Sequence, residues 1–227
     1  MSGRSSEATA TRCTILGQLA LRPWSSYELA RSMRRTLRWF WPRAESVVYA
    51  EAKRLEADGL VRGRAEPAAD GSRRSRTIYE ITPAGRTMLA DWLARPPETF
   101  AMHLEPLLRV HLARFGRLAD LLVAIDHADA RAAALLADAR AVATEYVTGE
   151  HLFQQEAHVR GLLFDALVGQ ARALRGWAAQ AREEIARWDD VEADDAARAR
   201  ALGRMRAFLE ETGTDTGGNT AQARMVE

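Results

Sequence analysis

The sequence lacks most of what a secreted, membrane-spanning or catalytic protein needs. It has one cysteine, Cys13, so no disulfide framework can form within the chain. Cys13 falls in an apolar helical run, reads as a buried structural thiol, and fits a reducing cytoplasm. No apolar run reaches the length of about 18 residues that a membrane-spanning helix requires, and residues 1–7 have no signal-peptide core. The five histidines (His103, His111, His127, His151 and His158) show no zinc-ligand spacing with one another or with Cys13. There is no glycine-rich phosphate loop and no Gly-x-Ser-x-Gly elbow. The acid pairs Glu183-Glu184, Asp189-Asp190 and Asp194-Asp195 read as solvated helix faces or caps. We therefore expect no catalysis, no metal and no cofactor.

Lysine is nearly absent as well. Of 32 basic residues only Lys53 is not arginine. With alanine also abundant, this looks like the codon bias of a GC-rich genome, so where an arginine stands says more than its being one. The net charge of +1 hides an asymmetry. Residues 1–95 carry 17 basic against 10 acidic residues, and the rest 15 against 21. A basic first half and an acidic second half fit phosphate contact by the first.

What is present is most telling between Trp41 and Val61. Pro42 suits a first helical turn and Gly59 a left-handed helix stop. Ala44, Val48, Ala52 and Leu55 share one face, which can be buried. Ser46, Tyr49 and Lys53 share another. Such a helix can enter a DNA groove, although an amphipathic helix with a solvated polar side has the same pattern. Upstream, Ile15, Leu16, Leu19 and Ala20 mark one helix. Ser25 and Ser26 can cap a second, from Tyr27 to about Phe40 through Leu29, Met33 and Leu37. Downstream, Leu60–Glu66 and Arg76–Thr82 read as two strands joined through an Asp70-Gly71 turn. Thr82 and Pro83 then start another helix, which carries Met88, Leu89, Trp92 and Leu93 to the break at Pro96-Pro97. Three helices, a β-hairpin and a helix make a winged helix-turn-helix.

These residues resemble the PadR-type transcriptional regulators. Tyr27-Glu28-Leu29, the run from Tyr49 through Lys53-Arg54-Leu55-Glu56 to Gly59-Leu60, and Tyr79-Glu80-Ile81-Thr82-Pro83-Ala84-Gly85 look like that family's three hallmark stretches, in its order and spacing. Residues 11–95 carry the resemblance closely and the remainder in architecture. One departure is Ser26, where the family usually has glycine. The resemblance implies DNA binding, a C-terminal antiparallel helical module that dimerises, and in some relatives a flat aromatic effector held between the two parts.

The second half is helical by pattern. Leu104, Leu107, Leu108, Leu112 and Phe115 form a short stripe. Leu121, Ile125, Ala128, Ala132, Leu135, Ala139, Val142 and Tyr146 form a seam of about four heptads. After Gly149, a further stripe runs from Leu152 through Val159, Leu163, Leu167, Leu174, Trp177, Ala181, Ile185 and Trp188. At 1.5 Å per residue these two helices span roughly 40 and 50 Å, longer than the roughly 30 Å of a compact domain of this size. They call for a partner, most simply a second copy.

The expected fold is therefore mostly α with one small β-hairpin. It comprises a flexible N-terminus (1–10), a winged helix-turn-helix domain (11–95), a helical dimerisation domain (96–211) and a disordered tail (212–227). The expected function is that of a cytoplasmic homodimeric repressor on double-stranded DNA with a near-palindromic operator, released by a small aromatic effector. Arg43, Ser46, Tyr49 and Lys53 on the 43–58 helix are the candidate groove contacts. Ser25 and Tyr27 are candidates for phosphate at the second helix's N-terminus, and Arg73 and Arg74 for the wing. Trp92 and Phe100 are the candidate effector residues. Leu121, Ile125, Leu135, Val142, Leu163, Leu167, Leu174 and Trp177 are the candidate dimer interface. Two rivals share the fold: a protein-docking module, which would not require a basic wing, and a helical protein that binds small molecules without DNA.

Overall fold

A computed structural model describes residues 2–67, 75–97, 104–192 and 195–215. The chain divides into two compact units, Met1–Met102 and His103–Glu227. The first runs α1 (Ser2–Leu21), β1 (Trp24–Ser25), α2 (Ser26–Leu37), α3 (Glu45–Ala57), β2 (Val61–Pro67), β3 (Ser75–Ile81) and α4 (Pro83–Leu93). The chain is mostly helical, with a small antiparallel sheet in the order β1-β3-β2.

Helix α1 begins at Ser2, so the stretch expected to be a flexible N-terminus continues the helix. The Thr14 hydroxyl ties back to the carbonyl of Ala10, at the end of that extra part, at 2.7 Å. Cys13, Ile15, Leu16 and Leu19 of α1, Leu29, Ala30 and Met33 of α2, and Val48, Ala52 and Leu55 of α3 are buried and form the three-helix core. The sheet closes one side of this core with Trp24, Val61, Ile78 and Tyr79, all buried. Val61 pairs with Ile81 and Pro67 with Ser75, which sets the register of the wing.

The short strand β1 goes beyond the sequence expectation. Trp24 pairs with Tyr79 across to β3, and its indole N–H donates to the Gln18 carbonyl at 2.9 Å. The Arg22 guanidinium covers the ring at 3.6 Å. Two residues are too few to leave a periodic signal.

Gly59 adopts φ 71°, the left-handed stop that ends α3. The Thr82 hydroxyl lies 2.8 and 3.0 Å from the carbonyls of Gly59 and Leu60, and accepts the Gly85 N–H at 3.2 Å. One side chain thus caps α4 and pins it to the end of α3. Gly85 is packed against the Leu60 carbonyl so closely that a Cβ there would collide with it.

The second unit contains α5 (Glu105–His111), α6 (Leu118–Val147), α7 (Ala157–Ile185) and α8 (Asp195–Asp215). Helices α6 and α7 form an antiparallel hairpin. Leu121 and Ile125 near the start of α6 meet Ala178 and Ile185 near the end of α7, with Val110, Ala113, Trp177 and Trp188 around them. Asp129 holds Arg175 at 2.8 Å and Arg182 at 3.1 Å, and Arg182 also reaches Asp126 at 2.8 Å. Gly149 at φ 79° ends α6. Gln154 then donates to the carbonyls of Glu145 and Tyr146 at 3.2 and 3.3 Å, and His151 stacks on Tyr146 with ring centroids 4.0 Å apart.

This hairpin corrects the expectation for the heptad seam. Leu121, Ile125 and Leu135 are already buried within one chain, together with Ala128 and Ala132, whose small side chains let the helices approach. They are not free to form an interface with a second copy. Val142, Leu167, Leu174 and Trp177 are half-buried, and Leu163 is exposed. Helix α8 extends to Asp215, past the expected start of a disordered tail at Thr212. No helix among the described residues is long and apolar enough to cross a membrane.

Candidate nucleic-acid interface

Helix α3 presents two chemically different sides. Val48, Glu51, Ala52 and Leu55 face inward and are buried. Ser46, Val47, Ala50, Lys53 and Arg54 face outward, with Glu45 and Tyr49 half-buried at the edge. The start of the helix differs from expectation. Pro42 lies in the turn rather than in the first helical turn, and Ala44 is the exposed N-cap, without a side-chain hydrogen bond. The Trp-rich turn extends farther than the proline signal implied.

The inward side is fastened by charge as well as by apolar contact. Glu51 is only 7% exposed. It meets Arg12 of α1 at 3.4 Å and Arg54 at 3.1 Å, and Arg12 also pairs with Asp58. Sequence reasoning passed over Glu51, although its place in the 48, 51, 52, 55 stripe is the signal of an inward position.

Arg43 and Ser25, two candidates for DNA contact, are engaged within the chain. Arg43 donates to Thr11 Oγ1 at 3.1 Å and to the Pro42 carbonyl at 2.9 Å, and its guanidinium lies 4.5 Å from the Trp41 ring centre. It braces the turn before α3 against α1. Ser25 is buried and forms a capping box. Its hydroxyl donates to Glu28 Oε2 at 2.6 Å and accepts the Glu28 N–H at 3.2 Å. The bond from Ser25 holds the Glu28 carboxyl below its usual range, partly opposed by burial. A carboxylate thus occupies the N-terminus of α2, and the expectation that Ser25 holds phosphate is corrected. The neighbouring Tyr27 is 62% exposed.

At the outer edge of α3, Glu45 receives two groups. Arg34 of α2 reaches its Oε1 at 2.9 Å, and the Tyr49 hydroxyl lies 3.5 Å from its Oε2. Desolvation first, and then the Glu45 carboxylate, push the Tyr49 phenol up. Arg34 and Glu45 were not among the sequence candidates, since they meet across the turn between two helices, where no helical spacing pairs them.

On the wing, Arg64 and Arg76 both pair with Glu66, at 2.6 and 3.6 Å. Arg73 and Arg74 lie outside the described residues, as does Phe100. Trp92 is on α4 and 36% exposed. Among the described residues no group of three or more His, Cys, Asp or Glu is placed to hold a metal ion.

Residues 15–91, from within α1 to within α4, match the Transcriptional regulator PadR-like family. The first unit is similar to that family over these residues. Over 88 residues the chain is 32% identical to the negative transcriptional regulator PadR of Bacillus subtilis, a match covering 37% of this chain and 47% of that one. It is 33% identical over 82 residues to the probable transcriptional regulator Rv1176c of Mycobacterium tuberculosis, covering 36% of this chain and 42% of that one. These matches thus span less than half the length of either relative. The likeness of fold extends beyond these residues. The crystal structure of Bacillus subtilis PadR in complex with operator DNA superposes with a TM-score of 0.63 at 20% identity, covering 77% of this chain and 98% of that one. The same protein in complex with p-coumaric acid gives 0.60 at 18%, covering 80% and 98%.

Proposed function

We propose that the chain is a homodimeric, sequence-specific DNA-binding repressor. The observation that carries this reading is the two-sided build of α3. Its inner side is locked by Val48, Ala52, Leu55 and the Glu51 ion pairs, and its outer side offers Ser46, Tyr49 and Lys53. In this reading α3 lies in the major groove of a near-palindromic operator. Ser46, Tyr49 and Lys53 meet base edges there, while Tyr27, Arg73 and Arg74 meet phosphates. Phosphate contacts supply most of the affinity and base contacts the specificity. Arg43 contributes mainly by bracing the turn. The basic excess of residues 1–95 and the similarity of residues 15–91 to the PadR-like family support the reading. It also entails a cytoplasmic protein. Selection of bound duplexes from random-sequence DNA tests it: a single enriched, near-palindromic motif is expected, and no enrichment overturns it.

The second copy finds its surface on α8. Leu202, Met205, Phe208 and Leu209 form an apolar stripe there, 41–65% exposed. The half of the helix before Met205 carries Arg198, Arg200 and Arg204, and the half after it Arg206 with Glu210 and Glu211. Arg200 and Arg204 tie the helix to Glu184 of α7 at 3.0 and 3.3 Å. An antiparallel copy with its dyad at Met205 matches stripe to stripe and sets Arg200 opposite Glu210.

A small aromatic effector is the proposed releasing ligand. Bacillus subtilis PadR has been crystallised with p-coumaric acid, and Trp92 offers a partly exposed aromatic surface on α4. Release of the selected duplex by a panel of small aromatic acids is the expected result. A panel without effect sets this part aside and leaves DNA binding standing.

A further inference from the structure

Glu45 is an acid at the N-terminal end of the helix that this reading puts in the groove, which is where such helices contact base edges. It lies beside Ser46 and one turn before Tyr49. Its side chain is 40% exposed and is held from two directions, by Arg34 at 2.9 Å on one carboxylate oxygen and by the Tyr49 hydroxyl at 3.5 Å on the other. A carboxylate oxygen can accept more than one hydrogen bond, so the group keeps accepting capacity toward solvent while its direction is fixed.

We propose that Glu45 is a specificity-determining residue that accepts a hydrogen bond from the exocyclic amino group of a cytosine in the major groove. The inference rests on the DNA-binding reading above and names a base for it. An ionised carboxylate is an acceptor only. Phosphates repel it, and so do the N7 and O6 acceptors of guanine and the O4 of thymine. The groove offers it two donors, the N4 amino group of cytosine and the N6 amino group of adenine. Adenine sets its N7 acceptor beside that amino group, facing the second carboxylate oxygen, whereas cytosine has only a C–H there. Cytosine is therefore the match. Arg34 offsets the repulsion that the acid would otherwise feel from nearby phosphates. It also stops the side chain from turning away, which lets a single hydrogen bond discriminate.

A purely structural role is the alternative. The α3 N-cap is Ala44, which makes no side-chain bond, and an acid in the first turn complements the helix dipole. Base preference separates the two roles, because a dipole contribution is indifferent to sequence. The experiment selects duplexes from random DNA with the full-length wild type, Glu45→Gln and Glu45→Ala. Affinities for single-base variants of the wild-type motif are then measured by fluorescence anisotropy. The wild type is expected to prefer cytosine at one position (two, related by symmetry, in a dimer) by roughly 5- to 150-fold over the other bases. Glu45→Gln is expected to shift that position alone toward adenine, because an amide both donates to N7 and accepts from N6. Glu45→Ala is expected to flatten the preference at that position alone. Both variants returning the wild-type motif with the wild-type discrimination overturns the role of Glu45 and leaves DNA binding intact. A wild type that selects no motif overturns the DNA-binding reading, and this inference with it.

Discussion

Arg12 of α1 and Glu51 of α3 meet at 3.4 Å beneath the outward face of α3, and the carboxylate is almost wholly buried. The pair, with Arg54 and Asp58 around it, fixes how α3 is rotated about its own axis and hence which residues point outward. Removing one member leaves the other charge in a partly dry setting. Arg12 remains about a quarter exposed and keeps Asp58, which limits the loss. Glu51→Ala is expected to destabilise the first unit by about 1–3 kcal/mol. Urea unfolding followed by tryptophan fluorescence should show a lower midpoint with an unchanged slope. A wild-type midpoint would mean that the pair adds nothing.

The capping box of α2 gives a pH dependence. Glu28 is held below its usual range chiefly by its bond from Ser25. A carboxyl with a depressed folded-state pKa stabilises the fold above its unfolded value of about 4.3, and loses that contribution as pH falls through the lower folded value. Ser25→Ala should cost about 0.5–2 kcal/mol at neutral pH. It should also reduce the loss of stability between neutral pH and pH 3 compared with wild type. Thermal unfolding measured across that range tests both effects, and parallel pH profiles for the two proteins would refute the linkage.

For the wing, Arg73→Ala with Arg74→Ala should weaken binding to all duplexes alike, because phosphates carry no sequence information. The slope of log K against log salt should flatten by about 0.9 for each phosphate that is no longer neutralised. An unchanged slope would make these two arginines ordinary solvated residues. A loss confined to one operator would move them into a groove.

Assembly separates two leucine-rich surfaces. Leu135 is buried within its own chain, so Leu135→Asp is expected to unfold the helical unit, by several kcal/mol for an unpaired buried charge. Phe208→Asp, on the exposed stripe of α8, should leave circular dichroism unchanged and shift the sedimentation of the chain from dimer to its 25.2 kDa monomer. Met205→Cys at the proposed dyad should form an intersubunit disulfide in air. A dimer that tolerates Phe208→Asp and does not cross-link through the introduced thiol would put the interface elsewhere.

What was legible in the sequence was what local chemistry dictates. Gly59, Thr82, Pro83 and Gly85 each do a mechanical task with few substitutes, and the pattern they make in the chain is the pattern they make in the fold. The apolar stripes of α1, α2 and α3 likewise went where their period sends them, except for Ala44, which is exposed at the N-cap of α3. Periodicity reports burial and not who does the burying, so the seam through Leu121, Ile125 and Leu135 reads as a surface for a second copy although α7 covers it. Ser25 and Glu28 carry the capping-box spacing, yet a serine at a helix start also suits phosphate, and only the geometry decided between them. Arg34–Glu45 and Arg12–Glu51 join residues on different helices, which no spacing within one helix could pair.

The measurement closest to the centre of this account is the affinity of Tyr49→Ala/Lys53→Ala for the motif selected by the wild-type chain, read by fluorescence anisotropy. Neither side chain belongs to the buried stripe of α3, so unfolding should stay within about 0.5 kcal/mol of wild type. Binding should weaken by about 1–3 kcal/mol for each of the two side chains removed from the DNA. Wild-type affinity in a folded double variant would contradict the assignment of α3 as the helix that reads DNA.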